Sequence, residues 1–125
     1  MPSKYDAFNN VFRLGKCETK ALLYLKYGED PESMDYKALQ DVPPLHDRFS
    51  PVPSVQIAKN TGCCKTGMYI ALKECFFRGV VSRRGMGNAS RGHKELLGYF
   101  LDYDQNKLIT DMEQLAVEFC DIKKR

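Results

Sequence analysis

The sequence predicts a mainly helical α+β domain with one small β-hairpin set among the helices. Three observations predict it. Apolar residues recur at helical spacing in several separate stretches. Two short apolar segments flank a glycine-rich turn within residues 80–101, the pattern of a hairpin. Directly before that hairpin come a short helical stretch, a Thr-Gly break and a longer helical stretch. The 125 residues fit one domain with one core, and no internal repeat divides them.

Taken in order, residues 5–28 hold two helical pieces. Tyr5, Phe8, Val11 and Phe12 share a helix face, Leu14-Gly15 interrupts, and residues 17–27 resume with Ala21, Leu22, Tyr24 and Leu25 on one broad face. Gly28 is the expected stop. Residues 29–53 change character, for five of the six prolines fall there. Ser33 is suited to cap a short helix over about 33–40, with Tyr36 and Leu39 inward. Residues 41–53 read as a loop over the surface, pinned by Leu45 and Phe49, because each proline removes a donor and constrains its predecessor.

Residues 54–79 read as two helices and a turn. Ser54 is the expected N-cap of the first, with Val55, Ile57 and Ala58 partly buried, and Thr61-Gly62 breaks it. The second runs from 64 or 65 to 78. Met68, Ala71, Leu72, Cys75 and Phe76 form its apolar stripe, and Gly79 closes it. Residues 80–84 begin with two valines and read as a strand, 85–94 as a turn with three glycines, and 95–101 as the returning strand. A last helix spans 104–122. There Leu108, Met112, Leu115 and Phe119 step by four, three and four, a heptad-like seam with Ile109 and Ala116 alongside. Such a seam either packs on the first helices or pairs with a second copy, and symmetry favours a homodimer.

Composition narrows the functional classes. With 43% hydrophobic and 28% charged residues the chain is globular rather than disordered. No apolar run approaches a membrane span, and the first residues carry no basic-then-apolar signal pattern, so a cytoplasmic protein is expected. Its five irregularly spaced cysteines are then expected to be reduced. The net charge of +3 hides a segregation: residues 59–94 carry eight basic residues against one acid, and 28–48 carry six acids against two basic residues. A basic segment of that density suits a polyanion.

The order of short helix, glycine-centred turn, longer helix and basic hairpin is that of a winged helix-turn-helix. The second helix suits the major groove of duplex DNA, and the arginines of the hairpin suit the phosphates. Ala58 allows the two helices to approach, Gly62 permits the turn, and Val80 and Val81 close the core. Residues 14–28, LGKCETKALLYLKYG, resemble the opening helix of MarR-like and TrmB-like winged-helix regulators. Residues 55–81 resemble their helix-turn-helix, with an Ile-Ala pair, a Thr-Gly turn, a Tyr-x-Ala-Leu-Lys core and a Gly-Val-Val exit. The resemblance covers about two-thirds of the chain. It implies a sequence-specific transcriptional regulator, dimeric, acting on double-stranded DNA, with a small-molecule effector left unspecified.

Carried over by position, the groove-facing residues are Lys65, Thr66, Tyr69, Ile70 and Lys73, and the wing residues are Arg83, Arg84, Arg91, His93 and Lys94. Ile70 stands where a polar reader is common. Gly67 weakens the start of the reading helix by roughly 1 kcal/mol relative to alanine. The acidic, proline-rich 29–53 segment replaces a short connection. The alternative is a winged-helix protein-interaction module that uses this segment and the apolar seam within a larger assembly.

Enzyme and metal readings are not favoured. No G-x-x-x-x-G-K or G-x-S-x-G stretch occurs, and no cofactor is expected. His46 and His93 are the only histidines, and no C-x-x-C or H-x-x-x-H spacing supplies a metal site. The adjacent Cys63 and Cys64 separate on inspection. Cys63 falls where the turn needs an apolar plug. Cys64 falls at the cap of the reading helix, where the helix end and Lys65 favour a reactive thiol, making it the redox candidate.

Overall fold

The computed structural model describes residues 4–28, 51–86 and 96–123. The expected helix at 33–40, its neighbours Leu45 and Phe49, and the wing-tip residues Arg91, His93 and Lys94 lie outside the described residues. In chain order the elements are α1 (Lys4–Phe12), α2 (Lys16–Tyr27), β1 (Val52–Pro53), α3 (Ser54–Thr61), α4 (Lys65–Phe77), β2 (Ser82–Gly85), β3 (Leu97–Phe100) and α5 (Tyr103–Lys123). α1 packs along α5, and α2 packs along α4. A core of fully buried residues, among them Phe8, Leu22, Ile57, Leu72 and Ile109, joins the two pairs.

The helix boundaries follow local chemistry. α2 ends at Gly28, whose N–H donates to the Tyr24 carbonyl at 2.6 Å. α3 ends at Gly62 with φ 71°, a left-handed conformation that turns the chain toward α4 and that a residue with a side chain adopts only with strain. The cap of α3 differs from expectation by one position. Pro53 occupies it and Ser54 is the first helical residue, with no side-chain cap bond. Val55, expected to be partly buried, is exposed because the helix buries the face carrying Ile57, Ala58 and Thr61.

The hairpin gains a third strand. β3 lies between β1 and β2, antiparallel to both, with Val52 opposite Tyr99 and Arg83 opposite Tyr99 on the other side. The end of the expected 41–53 surface loop is therefore a sheet edge, the position where a proline without an N–H is tolerated. Gly98 makes the close approach feasible. A Cβ there would stand 2.4 Å from Pro51 Cβ and 3.0 Å from its carbonyl carbon.

The N-terminus of α5 carries a capping box that ties it to the wing. Asp102 Oδ1 accepts from the Gln105 N–H at 2.8 Å, and Gln105 Oε1 accepts from the Asp102 N–H at 3.1 Å. The same Gln105 accepts from Ser82 Oγ at 3.1 Å and donates to the Gly79 carbonyl at 3.3 Å.

α5 meets the core through a face other than the heptad seam. Asn106, Ile109, Glu113 and Ala116 are buried and Met112 is half-buried, whereas Leu108, Leu115 and Phe119 are exposed. Of the four seam residues, only Met112 packs on the core. Glu113 is accommodated inside because Lys26 Nζ lies 2.5 Å from its Oε1 and Tyr27 OH donates to its Oε2 at 2.7 Å. The whole is an α+β, winged-helix-like fold.

Candidate nucleic-acid interface

α4 is two-sided because its sequence alternates at the helical period. Met68, Ala71, Leu72 and Cys75 are buried, and Lys65, Thr66, Tyr69, Ile70 and Lys73 are all exposed on the other side. The structure thus brings together the five residues expected to face a groove. Tyr69 and Ile70 are each about half exposed, so the basic ends of this face enclose an apolar middle. At its start Cys64 is the N-cap, its Sγ accepting from the Gly67 N–H at 3.3 Å.

The turn that presents α4 is held by α2. Lys20 is buried, and its Nζ donates to the Thr61 carbonyl at 2.7 Å. Asn60 Nδ2 donates to Tyr24 OH at 2.8 Å, and Thr61 Oγ1 donates to the Ile57 carbonyl at 2.7 Å. A buried ammonium bonded to the last carbonyl of α3 also suits the negative end of that helix. Sequence reasoning missed Lys20, since a lysine on a helix ordinarily reads as solvent-facing.

The wing arginines part company. Arg83 is half-buried, its guanidinium 3.9 Å from the centroid of the Phe76 ring and 5.9 Å from that of Phe77. Arg84 is exposed and lies 5.8 Å from the Phe100 ring centroid. Adjacent strand residues point to opposite faces, so the two do not form one charged pair. Arg83 fastens β2 to the end of α4 through a cation–π contact. Arg78, counted within the basic segment, is engaged with Glu18 Oε2 at 3.1 Å. Burial, and then a hydrogen bond with Glu74, raise the Glu18 carboxyl above its ordinary value, while Arg78 lowers it. Among the described residues of this surface, the exposed positive charge thus centres on Lys65, Lys73 and Arg84.

Among the described residues no cluster of three or more His, Cys, Asp or Glu is placed to hold a metal ion, and no helix is long and apolar enough to cross a membrane. His46 and His93 lie outside the described residues. Cys63 is half-buried and packs against the core, as the plug role requires.

No family model matches the chain, and no curated protein matches it in sequence. Solved structures do match. The chain is similar to a possible transcriptional regulator from Methanosarcina mazei Go1, with TM-score 0.56 and 10% identity over 94% of this chain and 79% of that one. It is similar to a protein from the thermoacidophilic archaeon Sulfolobus tokodaii, with TM-score 0.52 and 14% identity over 98% of this chain and 95% of that one. A protein from Mycobacterium tuberculosis gives TM-score 0.54 and 10% identity over 98% of this chain and 68% of that one. At these identities the likeness is one of fold.

Proposed function

We propose that this protein is a sequence-specific, double-stranded DNA-binding transcriptional regulator of MarR-like or TrmB-like type, without enzymatic activity, acting as a homodimer. The observation that carries the reading is the outer face of α4. Two lysines, a threonine and a tyrosine, with the apolar Ile70 among them, project from a helix whose other side is locked into the core, as suits a major-groove reader. The exposed Arg84 on β2 extends the same charge toward the phosphates. Resemblance of the fold to a possible transcriptional regulator points the same way.

The direct test is a gel shift with nonspecific duplex across a salt series. Affinity is expected to fall linearly with salt on logarithmic axes, with a slope of about −0.9 for each phosphate engaged. Absence of binding at low salt and tens of micromolar protein would overturn the proposal.

The protein-interaction reading also has an observation behind it. Leu108, Leu115 and Phe119 are exposed on α5, and Phe77 is exposed at the end of α4. The homodimer places Leu108, Met112, Leu115 and Phe119 against a second copy. Leu115→Glu is therefore expected to convert a dimer to a monomer in a sizing experiment and to leave the helical circular dichroism unchanged. Deleting α5 would be a poor test, since α1 packs against it. A wild-type chain that is already monomeric at tens of micromolar excludes the dimer at its proposed working range.

A further inference from the structure

Cys17, distant in sequence, meets the adjacent Cys63 and Cys64 beside the reading helix. Cys17 lies in the first turn of α2, Cys63 in the turn after α3, and Cys64 at the cap of α4. All are free thiols, Cys64 exposed and the other two half-buried. Burial first, and then the neighbouring Cys63 and Cys64, raise the Cys17 thiol above its ordinary value.

Gly67 shows how closely two of these sulfurs approach one spot. A methyl group on Gly67 would stand 3.0 Å from Cys64 Sγ and 3.6 Å from Cys17 Sγ. A glycine in the first turn of a helix is otherwise unfavourable, and here its missing side chain leaves a gap bordered by both sulfurs. The sequence oddity at 67 and the thiol cluster are therefore one feature.

We infer that Cys17 and Cys64 form a peroxide-responsive dithiol that closes as a disulfide across Gly67 and ties α2 to the cap of α4. Exposure assigns the first step to Cys64. Its sulfur, as the thiolate, attacks one oxygen of hydrogen peroxide. The O–O bond breaks, hydroxide leaves and takes up a proton as water, and Cys64 becomes a sulfenic acid. The Cys17 sulfur then attacks the Cys64 sulfur, the S–O bond breaks, and the hydroxyl departs with the Cys17 proton as a second water. Two thiols and one peroxide give one disulfide and two waters, the two electrons passing from sulfur to peroxide. Burial, and then Cys63 beside it, push the Cys17 thiol up to about 11, which disfavours Cys17 for the first step and leaves that step to Cys64.

The consequence for DNA rests on the proposed reading of α4. The bridge converts the cap of that helix from a free thiol bonded to Gly67 N–H into one end of a covalent strap. The test uses the full-length protein, reduced, then exposed to hydrogen peroxide with dimedone present, and mapped by mass spectrometry without reductant. The wild type should yield a peptide pair linking Cys17 to the 63–64 segment, with little dimedone adduct. Cys17→Ser should lose the link and accumulate the adduct on Cys64. Cys64→Ser should also lose the link, whereas Cys63→Ser should keep it. A missing link in the wild type, or one that survives Cys64→Ser, overturns the pairing, as does its loss in Cys63→Ser. Duplex affinity is read separately. It should fall about fivefold on oxidation, the worth of one helix cap, and recover with dithiothreitol. A bridge that leaves affinity unchanged overturns the switch. Reduced protein that binds no duplex removes the DNA reading and leaves the mapped bridge standing.

Discussion

Replacing Glu113 by alanine is expected to cost about 3–5 kcal/mol, the largest loss from any single substitution considered for this protein. The carboxylate is 3% exposed and holds the Lys26 ammonium, itself 6% exposed, at 2.5 Å, while Tyr27 OH donates to its second oxygen. Alanine leaves the buried ammonium without its carboxylate. Removing the charge from both sides should be far milder, because a buried pair replaced by apolar residues of like volume is often neutral. The measurement is urea denaturation of Glu113→Ala beside the double variant Lys26→Met with Glu113→Leu. Equal stability of the single and double variants would show that the pair is not coupled. Because Lys26 lies on α2 and Glu113 on α5, the same measurement reports how firmly the two helix pairs are joined.

The second large effect concerns function. The double substitution Lys65→Ala with Lys73→Ala is expected to weaken nonspecific duplex binding about 60-fold at 0.1 M salt and to reduce the salt slope by about 1.8, the loss of two phosphate contacts. Stability should hardly change, as both side chains are exposed and the buried face of α4 is untouched. A double variant with the wild-type slope would place the DNA elsewhere. Arg84→Ala should act in the same sense with about half the change in slope. Arg83→Ala should be different in kind, since it removes the contact over Phe76 and loosens the wing itself.

The elements were legible where one signal dominated. The buried stripe of α4 and the stop at Gly62 follow from spacing and from backbone freedom, and both are found in the structure. Elsewhere two signals conflicted. β1 has two residues, one of them a proline, too few to show any alternation. The Asp102-x-x-Gln105 box was present in the sequence as a helix start, yet the expected helix began at 104, one residue after its observed start at Tyr103. In α5 two of the inward residues, Asn106 and Glu113, are polar, so the true inner stripe scored poorly and the outer one looked better. Only the location of Lys26, far away in the chain, makes an inward glutamate reasonable. The candidate site divides likewise. The outer face of α4 could be read from periodicity, whereas the stacking of Arg83 and the meeting of Cys17 with Cys64 depend on contacts between distant segments.

One further consequence lies in the capping box of α5. Gln105 serves at once as a helix start and as the anchor for Ser82 and Gly79. The wing is thereby hinged on α5 at its root, while Arg83 holds it to α4 farther along. A small rotation of α5 in the proposed dimer would thus swing the wing like a lever about the Arg83–Phe76 contact. Such a turn would reach the wing root through Gln105 without passing along α4.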